Sequence, residues 1–270
     1  MANKRVDTGR GRKSGVVKSS KKPSGPNRAF YLIIAVIAIG GIAALTYAST
    51  RDKAVVSASP VDTTLPKVES HGYVMGNPAA PVEITEFGDY ECPACGRFAV
   101  LSEPDVRKNY VQTGKVRWRF IDYPLGMHRN TWQASRAAAC ADEQGKFWEF
   151  HDLLYQTQDR WNSEATDNPD KVMKDYARGL GLNASQFNQC VDSKKYQAKV
   201  QAHLAIAEQR KIMQTPTFLI GDQQVAAALP YDEMAKYINT ALAKAGTTPA
   251  APGGDTAKSA TVGGAAKKGQ

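Results

Sequence analysis

The chain has 270 residues, enough for one or two domains, and a net charge of +9 from 35 basic and 26 acidic residues. That charge is local: residues 1–28 hold nine of the basic residues and one acid, Asp7, so all but one unit of the net charge lies there. A basic tail without interleaved aromatics, ahead of a near-neutral body, argues against a nucleic-acid-binding face, and no nucleic-acid partner is expected.

Residues 29–48 (AFYLIIAVIAIGGIAALTYA) carry no charge. As a helix they would reach about 30 Å, the hydrocarbon thickness of a bilayer. Gly40 and Gly41 weaken a soluble helix but are common in membrane helices. The basic lead, with only Arg51 and Lys53 soon after the run, favours a cytoplasmic N-terminus. The segment reads as an uncleaved single-pass anchor in the inner membrane, with the remainder periplasmic or otherwise extracytoplasmic. Thr46-Tyr47-Ala48 loosely resembles a cleavage site, so a removed signal peptide is the competing reading. Either way the body reaches an oxidising compartment. Residues 49–70 are small and polar, with Pro60 and Pro66, and read as an exposed linker. Residues 245–270, rich in Ala, Gly, Thr and Lys, read as a disordered tail.

The body, residues 71–244, is long enough for one domain with a real core. Residues 82–87 form an apolar strand and 93–111 a helix that Gly114 can stop. In residues 115–121, Val116, Trp118 and Phe120 alternate with Lys115, Arg117 and Arg119, the pattern of a strand with one buried face. Strand, helix, strand over this distance is a βαβ unit with parallel pairing. Residues 129–214 are helical in pattern. A strand at 217–220, a turn at Gly221-Asp222, a weak strand at 223–227 and a helix at 231–242 close the domain. The order fits an α/β fold: a small mixed sheet with an inserted helical lid.

Cys92-Pro93-Ala94-Cys95 lies where the first strand gives way to the helix. Two cysteines at this spacing can close and reopen a small disulfide ring. The first sulfur meets unpaired backbone N–H groups and the positive end of the helix dipole, which favour thiolate, the attacking species. Pro93 at the first helical position loses nothing by lacking an N–H. Zinc would need two further ligands, and neither Cys140 and Cys190 nor the four histidines sit at ligand spacing, so no metal is expected. Glu86 lies in the first strand, an odd number of residues from Glu83, so one of the two faces inward. A buried carboxyl under the cysteines could relay protons, whereas alternation alone equally allows Glu86 to face solvent. Thr215-Pro216 precedes the late strand, and by sequence alone its peptide bond is an ordinary trans one. In an exported domain the leftover pair Cys140 and Cys190 is expected to close a structural disulfide, with a second redox relay as the alternative.

Residues 86–95 (EFGDYECPAC), 140–148 (CADEQGKFW) and 215–218 (TPTF) together resemble the DsbA-like thiol–disulfide oxidoreductases, a branch of the thioredoxin fold. The likeness runs from about residue 76 to 238, with its motifs in order. It implies a thioredoxin-like mixed sheet with an inserted helical domain, a nucleophilic Cys92, a resolving Cys95 and a buried acid at Glu86. It also implies a cis bond before Pro216, with Thr215 touching the dithiol. Gln214 stands where the family usually has glycine, a departure in the substrate groove.

The expected function is a membrane-anchored oxidase that introduces disulfides into reduced exported proteins. The resemblance implies reoxidation by a quinone-linked membrane partner, and no cofactor is called for. The alternatives are a membrane-tethered reductase or isomerase, and a non-catalytic binding or chaperone module whose cysteine pair is only a clip.

Overall fold

The structure, a computed structural model, describes residues 27–51, 56–65, 68 and 71–246. Most of the basic lead, part of the expected linker and the stretch from 247 onward lie outside the described residues. The chain divides into two compact units, residues 1–53 and 54–270.

In the first unit, α1 (Arg28–Arg51) is a helix of 24 residues that contains the uncharged run. Its described side chains, through residue 43, are exposed. Among the described residues no helix is long and apolar enough to cross a membrane. The side chains of 44–51, which the expected span needs for its length, lie outside them.

The second unit opens with strands β1 (Ser57–Pro60), β2 (Tyr73–Met75) and β3 (Val82–Gly88). Helix α2 (Pro93–Leu101) and the short α3 (Glu103–Val106) follow, running into a π-helical turn (Arg107–Val111) and then strand β4 (Val116–Asp122). Six helices come next: α4 (Thr131–Asp142), α5 (Phe147–Gln156), α6 (Gln158–Trp161), α7 (Pro169–Gly179), α8 (Ala184–Asp192) and α9 (Gln197–Gln209). Strands β5 (Thr217–Ile220) and β6 (Gln223–Ala226) and helix α10 (Tyr231–Lys244) complete the unit.

The strands form one mixed sheet in the order β1-β6-β5-β3-β4-β2. The β3–β4 pair is parallel, with Ile84 opposite Trp118 and Glu86 opposite Phe120, and the other pairs are antiparallel. One face carries Val82, Ile84, Val116, Trp118, Phe218 and Ile220 against Phe98, Val106, Met234 and Ile238 of the α2–α3 and α10 helices. On the other face, Phe87, Ile121 and Leu219 pack on Ile206 and Ala207 of α9. Alternation along β3 and β4 thus feeds two cores, as expected for a strand covered on both sides.

Three sequence expectations are corrected here. Residues 57–60, read as linker, add an edge strand to β6. All four are exposed, so the backbone ladder holds them and no apolar alternation marks them. The single helix expected over 93–111 is broken at Ser102. Pro104 has no N–H to continue the ladder and biases the residue before it away from helical geometry. Arg119, on the face that alternation assigns to solvent, is buried. Its guanidinium forks onto Glu83 at 2.7 and 3.0 Å and donates to the His71 carbonyl at 2.5 Å. Burial alone would raise the Glu83 pKa, but Arg119 and Arg117 outweigh it and hold the carboxyl below its ordinary value.

The helices after β4 build a further core around Phe150, Phe187, Trp161 and Met173, and a disulfide joins Cys140 of α4 to Cys190 of α8 (S–S 2.07 Å). The bond closes a separation of 50 residues, for which the chain-entropy model gives about 4 kcal/mol. Replacing both cysteines by alanine is expected to lower the melting temperature by about 10 °C while leaving the reduction potential of Cys92–Cys95 unchanged. Calorimetry and glutathione equilibration check the two halves separately.

Candidate active site

Strand β3 ends at Gly88, where a Cβ would collide with the Phe120 ring and the Tyr155 hydroxyl, so only glycine lets the chain pass. The next three residues form a turn held by a buried carboxylate. Asp89 Oδ1 accepts from the Glu91 N–H at 2.7 Å, and the Asp89 carbonyl accepts from the Cys92 N–H at 3.1 Å. Cys92 then caps α2 with extended backbone (φ −70°, ψ 121°), Pro93 enters at the first turn, and the Gly96 N–H donates to the Cys92 carbonyl at 3.1 Å. Gln158 ties the same turn down, its amide donating to the carbonyls of Tyr90 (2.7 Å) and Cys92 (3.0 Å).

The two sulfurs sit in opposite environments. Both are free thiols; Cys92 is 7% exposed and Cys95 fully buried. Cys92 Sγ lies 3.6 Å from the Thr215 carbonyl. The Cys92 pKa is lowered to about 6, first by a hydrogen bond from the Cys95 thiol, with the Thr215 hydroxyl and the N–H groups of Ala94 and Cys95 adding to it against the opposing effect of burial. The N–H contribution is the helix-start effect expected from sequence. Burial pushes the Cys95 thiol well above its ordinary range, and the neighbouring Cys92 thiolate pushes it further.

Thr215 reaches this position because β5 pairs antiparallel with β3, setting Thr217 opposite Phe87. The Thr215–Pro216 bond is cis. Gln214, the departure noted in the sequence, donates its side-chain amide to the Ala226 carbonyl at 2.8 Å, and its own carbonyl accepts from the Thr217 hydroxyl.

Of the two acids in β3, Glu86 points inward and is fully buried, with neither carboxyl oxygen hydrogen-bonded among the described residues. Burial drives its pKa well up, the Glu103 carboxylate adds to the rise, and Arg107 opposes it. These effects favour the protonated form of Glu86, the form that can give a proton to a sulfur. Cys92, Cys95, Glu86 and Thr215-Pro216 come together in one place, while Cys140 and Cys190 lie in the helical core. Among the described residues no group of His, Cys, Asp or Glu could hold a metal ion.

Several groups around the site were not singled out from sequence. Glu103 is buried and accepts from Arg107, which also forks onto Asp152 nearer the surface at 2.8 Å. His151 Nε2 lies 3.8 Å from Glu103, and its Nδ1 shares a hydrogen bond with the Tyr90 hydroxyl at 3.0 Å. Arg107 and His151 hold the Glu103 carboxyl below its ordinary value although burial acts the other way. His128 Nδ1 lies 2.8 Å from Asp89 Oδ2. The one available sequence signal was the pair of acids, Asp89 and Glu91, inside an otherwise apolar turn.

The family model Thioredoxin_4, described as thioredoxin, matches residues 69–240. The chain belongs to the Thioredoxin_4 family. This placement agrees with the resemblance read from residues 86–95, 140–148 and 215–218. Among relatives, a probable disulfide bond formation protein D of Bacillus anthracis is 28% identical over 172 residues, covering 63% of this chain and 78% of that one. Disulfide bond formation protein D of Bacillus subtilis strain 168 is 27% identical over 63% of this chain and 76% of its own length. A sodium/proton antiporter, NhaA 3 of Salinispora tropica, is 29% identical over 211 residues, but the chain spans only 31% of that protein. In fold, this Thioredoxin_4 member is similar to oxidised BdbD of Bacillus subtilis (TM-score 0.57, 23% identity, 66% of this chain and 96% of that one). It is equally similar to α-DsbA1 of Wolbachia pipientis (TM-score 0.59, 22% identity, 69% and 98%).

The split between the sulfurs has a measurable consequence. In the reduced protein, thiolate absorbance at 240 nm is expected to rise through a single ionisation near pH 6, with Cys95 silent well into the alkaline range. The folded Cys92 pKa lies below that of the unfolded chain, about 8.5. Its contribution to stability is therefore complete above the unfolded value and is lost as pH falls through the folded one. Urea midpoints of the reduced protein should drop relative to the oxidised protein between these limits. A pH-independent difference would contradict the lowered pKa.

Proposed function

We propose that this DsbA-like disulfide oxidoreductase is a thiol oxidase for exported proteins, working through Cys92 and Cys95 outside the cytoplasm and tethered to the membrane by α1. The observation that carries the reading is the opposed state of the sulfurs: Cys92 ionises easily and lies 3.6 Å from the Thr215 carbonyl, while Cys95 is buried as a thiol. A clip that only stabilised the fold would need neither feature. The names of the Bacillus relatives, disulfide bond formation protein D, support the reaction class.

In the reaction, a substrate thiolate attacks Cys92 Sγ of the oxidised pair. A mixed disulfide forms, the Cys92–Cys95 bond breaks, and Cys95 leaves and takes a proton, for which Glu86 is the buried donor. A second substrate thiolate then attacks the substrate sulfur of the mixed disulfide. The substrate disulfide forms and Cys92 departs as thiolate. Two electrons have passed from substrate to the pair. Both substrate thiols lose their protons to solvent, Cys95 keeps the proton from Glu86 and Glu86 recovers one from solvent, so one proton is released in all while Cys92 stays a thiolate. Low basicity makes Cys92 a good leaving group, which favours this direction.

The Thr215 carbonyl, beside Cys92 and just ahead of β5, is the backbone acceptor proposed to hold a substrate chain. A cleft of about 300 Å³ between Arg97, Phe98 and Leu101 on one side and Leu229, Pro230 and Tyr231 on the other supplies apolar surface along α2. Each cycle leaves the pair reduced, so a membrane oxidant linked to quinone is proposed as the partner that restores the disulfide. The basic residues ahead of the apolar run support an inside N-terminus, and the Cys140–Cys190 disulfide suits an oxidising compartment.

Cys95→Ser should accumulate a mixed disulfide between Cys92 and substrate proteins in cells, visible on non-reducing gels and lost in Cys92→Ser. Equilibration of the soluble body with glutathione should give a potential well above that of the glutathione couple. A strongly reducing potential would replace the oxidase with a reductase, and no mixed disulfide together with an ordinary Cys92 pKa would favour the clip.

A further inference from the structure

We propose that His128, held by Asp89, is a positioning residue for the redox pair: its imidazolium cancels a buried negative charge in the turn behind Cys92 and so stabilises the departing Cys92 thiolate. The inference rests on the oxidase reading of the same site.

Asp89 is 1% exposed and lies three residues before Cys92, to whose N–H its carbonyl is bonded. A buried carboxylate so close to a sulfur that must carry negative charge works against the thiolate unless its own charge is met. Three donors meet it. The Glu91 N–H reaches Oδ1, while the Leu125 N–H, at 2.7 Å, and His128 Nδ1, at 2.8 Å, both reach Oδ2. Two of these are neutral backbone groups, and the imidazole is the donor that can bring a full positive charge. The loop that carries it is fixed by the His128 N–H donating to the Leu125 carbonyl at 3.0 Å, so both Oδ2 donors come from one turn. The His128 side chain is 16% exposed, open enough to exchange its proton with solvent.

The charged groups facing the ring all favour its cation: Asp89 first, through the hydrogen bond, which outweighs the opposing effect of burial, and then the Asp89 charge, the Cys92 thiolate and Glu91 in smaller measure. Glu91 is itself engaged, accepting from the Asn130 and Ser163 N–H groups, and Arg129 is turned away to the Ser163 carbonyl and Asp167. The pair's own dipeptide, Pro93-Ala94, contributes no charge. A positive charge beside the turn comes from a separate segment, where His128 meets Asp89.

Linkage makes the idea testable in the unaltered protein. If His128⁺ favours the thiolate, the thiolate must favour His128⁺ equally. Nuclear magnetic resonance titration of the His128 ring in the full chain should give a higher pKa in the reduced protein than in the disulfide form. His128→Gln, which keeps an N–H for Asp89 but not the charge, should shift the Cys92 thiol–thiolate equilibrium about fivefold toward thiol, as expected for a charge interaction of roughly 1 kcal/mol. It should lower the equilibrium constant for oxidising glutathione by a similar factor. His128→Lys, which restores the charge, should recover both.

Equal His128 pKa values in the two redox states would overturn the inference. So would a His128→Gln protein with lowered melting temperature but unchanged Cys92 ionisation and potential, since that would make the residue a structural clamp. A native Cys92 that ionises like a free cysteine and does not exchange with glutathione would instead overturn the redox reading itself, and this inference with it. The three results are read from different signals and cannot be confused.

Discussion

Strand β3 is bonded on both edges, to parallel β4 and antiparallel β5, and covered on both faces. Its seven residues therefore have no freedom to slide, since a shift of one position would exchange Ile84 and Glu86 for Thr85 and Phe87 across the sheet. That fixed register delivers Gly88 to one point, from which the turn 89–91 and the start of α2 follow. The same ladder sets Thr217 opposite Phe87 and so brings the Thr215 carbonyl to Cys92. Two segments more than 120 residues apart meet at one sulfur because a single strand holds both.

The interior that receives this strand is unusually polar beside the cysteines. Glu86, Glu103, Arg107, His151 and Tyr90 lie in one neighbourhood, most of them without solvent contact. A buried ion pair of this kind contributes little net stability, because desolvation offsets the attraction. Its value here is chemical. Arg107 and His151 favour the ionised form of Glu103, and its charge pushes the Glu86 pKa upward. The two carboxyls are pushed in opposite directions, the condition under which one of them can serve as a proton donor.

Much of the frame was legible in the sequence. The alternation of Val116, Trp118 and Phe120, the apolar run 82–87 and the breaks at Gly114 and Gly221 marked β3, β4 and β5 because each side chain states its own environment. The orientation of Glu86 was not legible: in a strand apolar on both faces, alternation left either Glu83 or Glu86 to point inward, and the structure buries Glu86. Strands β1 and β2 were not legible either, since edge strands of three or four residues depend on a partner's backbone and not on their own pattern. Nor were Glu103 and Arg107. In the segment EPDVRKNY they look like an ordinary solvated helix face, and only the tertiary placement of Asp152 and His151 turns them inward. His128 gave no local signal because its partner lies 39 residues away.

A sulfur's pKa and its redox tendency are linked through the same contacts. A shift of the Cys92 pKa from about 8.5 in an unfolded chain to about 6 corresponds to ~3 kcal/mol favouring the thiolate at high pH. The disulfide form has no thiolate to stabilise, so none of that energy is available to it. This contribution acts in favour of the reduced state, the direction that the proposed oxidase reading needs for transferring the disulfide to a substrate. Cys95 adds to the asymmetry by remaining a buried thiol that solvent cannot reach. An oxidase built this way discharges readily and recharges only with help, which is why the proposed reading requires a stronger oxidant outside the domain.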